Sequence, residues 1–260
     1  MTRKSLRLFV QILLLGLLCG ASSSAYADAF SITSVSFSNL QITPASGTVQ
    51  FTPTASSAVA LATNNLPQTA PVMSNAFPIA QASTAVMFAS SSGLANATTF
   101  SANTNSQLAI TGCTCQASSA GQANLSGTFV ITGGEGNVNV TIAALFTTMQ
   151  SIMTDLNGSF SQSQAITTLT LDGVALFDVT TILNIGRNAS DQQSAINQIS
   201  QAVSLQFNVP HTISIHIHAG SLGGNEVPEP ATAVLLFSGL GFMAGYIRKG
   251  RRRRSIIGVF

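Results

Sequence analysis

Leu205, Phe207, Val209, Ile213, Ile215 and Ile217 all stand at odd positions, with polar or small residues between them. A thirteen-residue run with one apolar face does not fit a helix, whose side chains return to one face about every 3.6 residues. It calls for a half-buried strand. Pro210 falls on the opposite parity and has no amide hydrogen to donate, so an edge strand or a bulge is expected there. Shorter stretches repeat the alternation. Val35 and Phe37, then Leu40 and Ile42, lead across Pro44 to Gly47 into Val49 and Phe51, which predicts a hairpin. Phe129 and Ile131 predict a second hairpin with Val138, Val140 and Ile142 across Gly133 to Gly136. Leu169 and Leu171 flank Asp172-Gly173 with Val174 and Leu176, the composition a tight type I′ turn prefers.

One helix is expected. Ser190 and Gln193 form a capping box ahead of a stripe of Ile196, Ile199 and Val203. From Ala55 to Ala109 the Ala/Ser/Asn-rich chain shows little period and reads as loops with some strands. These elements predict a mainly β fold, a β-sandwich or jelly-roll-like body with one short helix.

Polarity in this chain comes from hydroxyls. It has 33 serines and 27 threonines in 260 residues, but only 7% charged residues, against about 25% in ordinary soluble domains. The charges are also segregated. Arg3, Lys4 and Arg7 open the chain, and Arg248, Lys249, Arg251, Arg252, Arg253 and Arg254 cluster near its end. Between Asp28 and Pro230 the one cation is Arg187, set against eight acids: Asp28, Glu135, Asp155, Asp172, Asp178, Asp191, Glu226 and Glu229. Such a body cannot neutralise phosphates, which excludes nucleic-acid binding despite the formal charge of +2.

Each basic end borders an apolar run. Leu8 to Cys19 follows the first, and Ala25-Tyr-Ala27 precedes Asp28, which together predict a secretory signal peptide over 1–27 cleaved between Ala27 and Asp28. At the other end Gly220 to Asn225 reads as a flexible linker within 220–226. Val227-Pro228-Glu229-Pro230-Ala231-Thr232 follows, then an apolar run over 231–247, then the basic cluster 248–254. A transmembrane helix of about 25 Å with retained cations would hold the tail inside and the body (28–219) outside. In that reading Arg248, Lys249, Arg251, Arg252, Arg253 and Arg254 are the stop-transfer residues. Residues 255–260 form a short apolar extension.

This order of parts resembles the PEP-CTERM sorting signal of Gram-negative bacteria, a tail also labelled after ice-binding proteins that carry it. The resemblance covers about Val227 to Arg254. It implies processing by an exosortase, a membrane-embedded cysteine protease-transpeptidase, with Pro228, Glu229 and Pro230 as its recognition residues. The helix would hold that motif at the membrane surface, and the arginines would stop translocation. The apolar extension departs from the usual arginine end.

Chemistry in the body is sparse. His216 and His218 share the outer face of the last strand about 7 Å apart and are metal candidates only if a third ligand comes from elsewhere. His211 points with the isoleucines, as a satisfied, half-buried histidine would. Cys113 and Cys115 meet an oxidising compartment and are expected to pair, with each other or with a second chain. No Gly-x-Ser-x-Gly elbow, Walker loop, dinucleotide fingerprint, HExxH or calcium loop occurs. Asp172 and Asp178 are the one carboxylate pair to consider. With no Trp, and Tyr26 and Tyr246 both in the terminal signals, a sugar-stacking platform is largely missing.

The expected protein is a non-enzymatic one without cofactors, exported and sorted to the cell surface or an extracellular matrix. Its expected partners are signal peptidase, the Sec machinery, the sorting protease, the membrane before processing, and extracellular polysaccharide. A ligand- or glycan-binding adhesin is the competing class, with a secreted hydrolase ranked below it.

Overall fold

The computed structural model describes residues 29–64, 71–110, 115–155 and 159–225. Twelve strands follow in order: β1 (Ala29–Pro44), β2 (Thr48–Asn64), β3 (Val72–Ser74), β4 (Ile79–Val86), β5 (Ala89–Asn96) and β6 (Ser101–Ile110). Then come β7 (Gln116–Thr132), β8 (Asn137–Thr154), β9 (Ser159–Leu171), β10 (Val174–Ile185), β11 (Ser190–Gln206) and β12 (Pro210–Asn225). No helix occurs among the described residues. The strands form two six-stranded antiparallel sheets, ordered β11-β8-β1-β6-β5-β4 and β10-β9-β12-β7-β2-β3. The sheets pack face to face with β8 over β9, β1 over β12, β6 over β7 and β5 over β2. All of this lies within one unit, Tyr26–Glu226.

Most connections cross from one sheet to the other, which corrects two expected hairpins. β1 and β2 lie in different sheets, as do β7 and β8. Their turns are arches, joined with a third at 207–209. Ala45 N–H donates to the Asn139 carbonyl (2.8 Å), Phe207 N–H to Gly136 (2.9 Å) and Asn208 N–H to Ile131 (2.8 Å). The Phe207 ring lies so close over Gly134 that a Cβ there would sit 2.5 Å from it. The apolar residues on both sides of each arch face inward, which alternation alone cannot tell from hairpin pairing. The third hairpin is present. Val174 pairs with Leu171 across Asp172 (φ 49) and Gly173 (φ 80), both left-handed as a type I′ turn needs.

The long last run is also divided. Leu205 lies on β11 in one sheet, and Ile213, Ile215 and Ile217 lie on β12 in the other. β12 is central, paired with β7 and β9, so the expectation of an edge or bulge fails. Pro210 is the first residue of the strand, before β9 pairing starts at Ile213, so no partner misses its amide.

The expected helix is β11. It pairs with β8 from Ser190↔Met153 to Gln206↔Asn137. Ile199 and Leu205 are buried, Val203 is half-buried, and Ile196 is left 73% exposed. The residues read as a 3.6-period stripe are, but for Ile196, an odd-position face, and a full-length neighbouring strand outweighs a local cap.

The linker expected over 220–226 is likewise strand as far as Asn225, paired on both sides. The 55–109 stretch is mostly strand. Its period is carried by alanines: Ala58, Ala60, Ala62, Ala80, Ala82, Ala95 and Ala102 are all buried. The signal helix expected over 1–27, the transmembrane helix over 231–247, the basic cluster over 248–254 and the extension over 255–260 fall outside the described residues.

The core has two apolar clusters. The larger holds Val35, Phe37, Phe129, Phe146, Ile142, Leu169 and Ile213, and the smaller holds Ala29, Ala62, Ala89, Leu108, Ile110 and Ala117. In the larger one, Phe37 lies 5.0 Å from Phe146 between ring centroids, and Phe146 stacks on Phe177 at 5.2 Å.

Candidate functional site

Histidine geometry comes from β12. Its odd residues face the other sheet, so His216 and His218 emerge on the outer face. His216 sits opposite Asn124 on β7 and Thr168 on β9, and His218 opposite Gln122 and Ile166. Asn124 Nδ2 donates to Ser57 Oγ (3.0 Å), so its Oδ1 is turned to His216 Nδ1 at 2.6 Å. His216 therefore donates from Nδ1 and keeps a lone pair on Nε2. His218 Nδ1 is buried without a hydrogen-bond partner. Burial pushes the His216 imidazole below the ordinary histidine value. His218 is lowered by burial first and by the charge of His216 second.

Two neutral imidazoles can accept hydrogen bonds or bind a soft cation. Among the described residues no group of three or more His, Cys, Asp or Glu could hold a metal. The depression beside them is shallow, about 190 Å³, and lined by His216, Asn124, Thr168, Thr170 and Ser214. A larger one of about 420 Å³, lined by Ser83, Ser90, Ser92 and Asn105 among others, carries neither histidine nor carboxylate.

His211 is the histidine that meets a carboxylate. Its Nδ1 lies 2.8 Å from Asp172 Oδ2 and its Nε2 3.2 Å from the Gln206 carbonyl, under the Phe129 ring. Asp172 Oδ1 also accepts the Thr212 N–H at 2.7 Å. The pair braces the β9–β10 turn against the start of β12, as a satisfied histidine does. Asp178 instead accepts from Thr168 Oγ1 at 3.2 Å, so the two carboxylates have separate partners. Cys115 is disulfide-bonded. Cys113, the expected partner, lies outside the described residues.

What sequence reading missed is a belt of buried hydroxyls between the two apolar clusters. Ser31, Thr33, Ser106, Ser119, Ser161, Ser163 and Ser221 are all buried. Ser31 Oγ donates to Ser221 Oγ (2.9 Å), Thr33 Oγ1 to the Gly220 carbonyl (2.9 Å), and Ser221 Oγ to the Ser106 carbonyl (3.3 Å). Ser106 and Ser119 share a 2.6 Å bond, and Ser119 also donates to the Gln107 carbonyl at 3.0 Å. Gln150 extends the belt, giving Nε2 to Ser163 (3.0 Å) and taking Thr181 Oγ1 on its Oε1 (2.8 Å). Parity carried the signal: Ser31 and Thr33 share the inward positions of Val35 and Phe37.

The described residues thus define a two-layer antiparallel β-sandwich with a hydroxyl belt through its core. Residues 226–254 match the model of the PEP-CTERM protein-sorting motif. The chain therefore carries a PEP-CTERM tail, which implies export and a membrane-anchored transit state before exosortase processing. That match holds Val227, Pro228, Glu229, Pro230, Ala231 and Thr232, and none of the sandwich. It also holds the whole expected basic cluster, Arg248, Lys249, Arg251, Arg252, Arg253 and Arg254. The sorting motif, these six cations, and Ala25, Ala27 and Asp28 of the expected signal cleavage lie outside the described residues. No curated protein and no solved structure matches the chain.

Proposed function

We propose that the protein is a non-enzymatic structural component of the cell surface or extracellular matrix, delivered there by exosortase sorting. The observation that carries the delivery half is the match of residues 226–254 to the sorting motif. The structural role rests on the body. Its histidines on the outer face have an amide and hydroxyls beside them, and the carboxylate-bonded His211 is consumed in bracing a turn. Its polar interior groups bond one another across the sheets, an arrangement suited to holding a rigid shape. The Cys113–Cys115 pairing remains part of this reading, as a covalent tie at the start of β7.

The experiment replaces Glu229 by Ala, with a Pro228→Ala, Pro230→Ala double variant beside it. Fractionated cells should show both variants held in the membrane fraction while the parent reaches the surface or medium. Equal release of parent and variants would overturn the sorting reading. Steady hydrolysis of ester, glycoside or peptide probes by the purified protein would overturn the structural one.

A further inference from the structure

β11 is a seventeen-residue strand at the open edge of its sheet, and among the described residues no strand pairs with its outer side. Natural edges of that length are guarded by lysine, proline, bulges or inward charge, because a bare edge recruits another strand. β11 has no proline, lysine or arginine, and Asp191 is its one charge. Its pairing with β8 runs through all seventeen residues without a bulge, so the edge is even from end to end. We propose that this edge is the interface for a second copy of the chain, joined antiparallel, β11 to β11, into a continuous twelve-stranded sheet. The proposal stands on the sandwich alone and does not depend on the sorting reading.

A copy of the same chain fits better than a foreign strand for three reasons. An isologous pair matches two strands of equal length, so pairing about Gln198, the midpoint of 190–206, engages the whole edge. Head-to-tail pairing onto β4, the other edge of that sheet, would use only eight residues. The body is acidic, with one cation against eight acids between Asp28 and Pro230, so two copies repel over most surfaces. On β11 the repulsion is small. Antiparallel pairing about Gln198 sends the two Asp191 residues to opposite ends, about 48 Å apart at roughly 3.4 Å per residue. The same register sets exposed Ile196 against Ser200 of the other copy and Ser194 against Ala202, leaving no like charges opposed. β10, an open edge of the other sheet, is shorter at twelve residues, and a register shift between Ala175 and Phe177 interrupts its pairing with β9, so its edge is less even.

The test uses the full chain exported in cells. Single variants Gln198→Cys on β11 and Ser83→Cys on β4 are treated with a mild oxidant and run on non-reducing gels beside the parent. A disulfide-linked dimer is expected from Gln198→Cys well above Ser83→Cys and the parent. Ser194→Cys should cross-link only when co-expressed with Ala202→Cys. In sedimentation with density-matched detergent, the parent should carry twice the protomer mass. The double variant Ile196→Lys, Ser200→Lys should carry one protomer mass with an unchanged β-sheet circular dichroism spectrum. No excess cross-link at position 198, or a dimer that survives both lysines, overturns the proposal. If the lysine variant loses its β signal, the cross-link comparison decides alone.

Discussion

At the scale of single residues, the main physical problem in this molecule is burying hydroxyls without orphaning them. A neutral hydrogen bond adds only about 0.5–1.5 kcal/mol net, but an unsatisfied buried partner costs about 1–3 kcal/mol. Thr33 gives to the Gly220 carbonyl and shares a bond with Ser163. Thr33→Val keeps the shape and removes both, so it should destabilise the body by about 1–3 kcal/mol in urea or guanidinium unfolding. A loss below a few tenths would mean the belt is slack. The histidines give a pH dependence. His216 and His218 are lowered in the folded state, so below the ordinary value of about 6.5 the unfolded chain binds more protons. Their contribution is therefore fully present above about pH 6.5 and is lost as pH falls through 6.5 and below. Asp178 accepts from Thr168, the residue opposite His216 on β9. The denaturation midpoint should fall between about pH 7.5 and 5.5, and His216→Asn with His218→Asn should flatten that fall. An equal slope in the variant would refute this assignment. The belt was legible in hindsight from parity, but hydroxyls at inward positions look like surface residues until the partner sheet is known.

Elements show where sequence periodicity is informative and where it is blind. Alternation found most strands, because period two survives whichever sheet a strand joins. It could not decide between a hairpin and an arch, since both keep apolar residues facing inward. Alanine-rich β4 to β6 were under-read because small residues carry a weak contrast, yet the close approach of the sheets requires them. A Cβ on Gly93 would meet the Gln122 carbonyl oxygen at 2.2 Å, and one on Gly121 would meet that of Ser92 at 2.2 Å. Gly121→Ala should therefore cost about 1–3 kcal/mol or more through overpacking, while Gly186→Ala, with nothing within 4 Å, should change little. Matched thermal melts of the two variants check this, and equal melting temperatures would contradict the thin-sandwich packing. The belt also bears on register. A two-residue slip keeps every side chain on its face, so alternation does not forbid it. It would set Ser31 and Thr33 against the apolar clusters, and the lost hydrogen bonds penalise the slip.

For the whole molecule, charge placement is the feature most legible from sequence. The two basic ends and the acidic body were readable from position alone, and the tail match, which takes in Arg252 and Arg253 with the other four cations of the cluster, agrees with that division. The chemistry of the body was legible only as a scarcity of motifs. Arg187, exposed between β10 and β11, is the single tryptic site between Arg7 and Arg248. Trypsin should nick the native body there once. The two pieces should stay together on a sizing column, because β11 and β12 remain paired with β8, β7 and β9. Separation without denaturant would contradict the sheet order. Sorting is tested most directly by the intact mass of the protein isolated from cells with and without the sorting protease. With the protease, the mass should correspond to a chain ending near Pro228 to Pro230, and without it to a chain running through the basic cluster to Phe260. A C-terminus at Phe260 in both would contradict exosortase delivery.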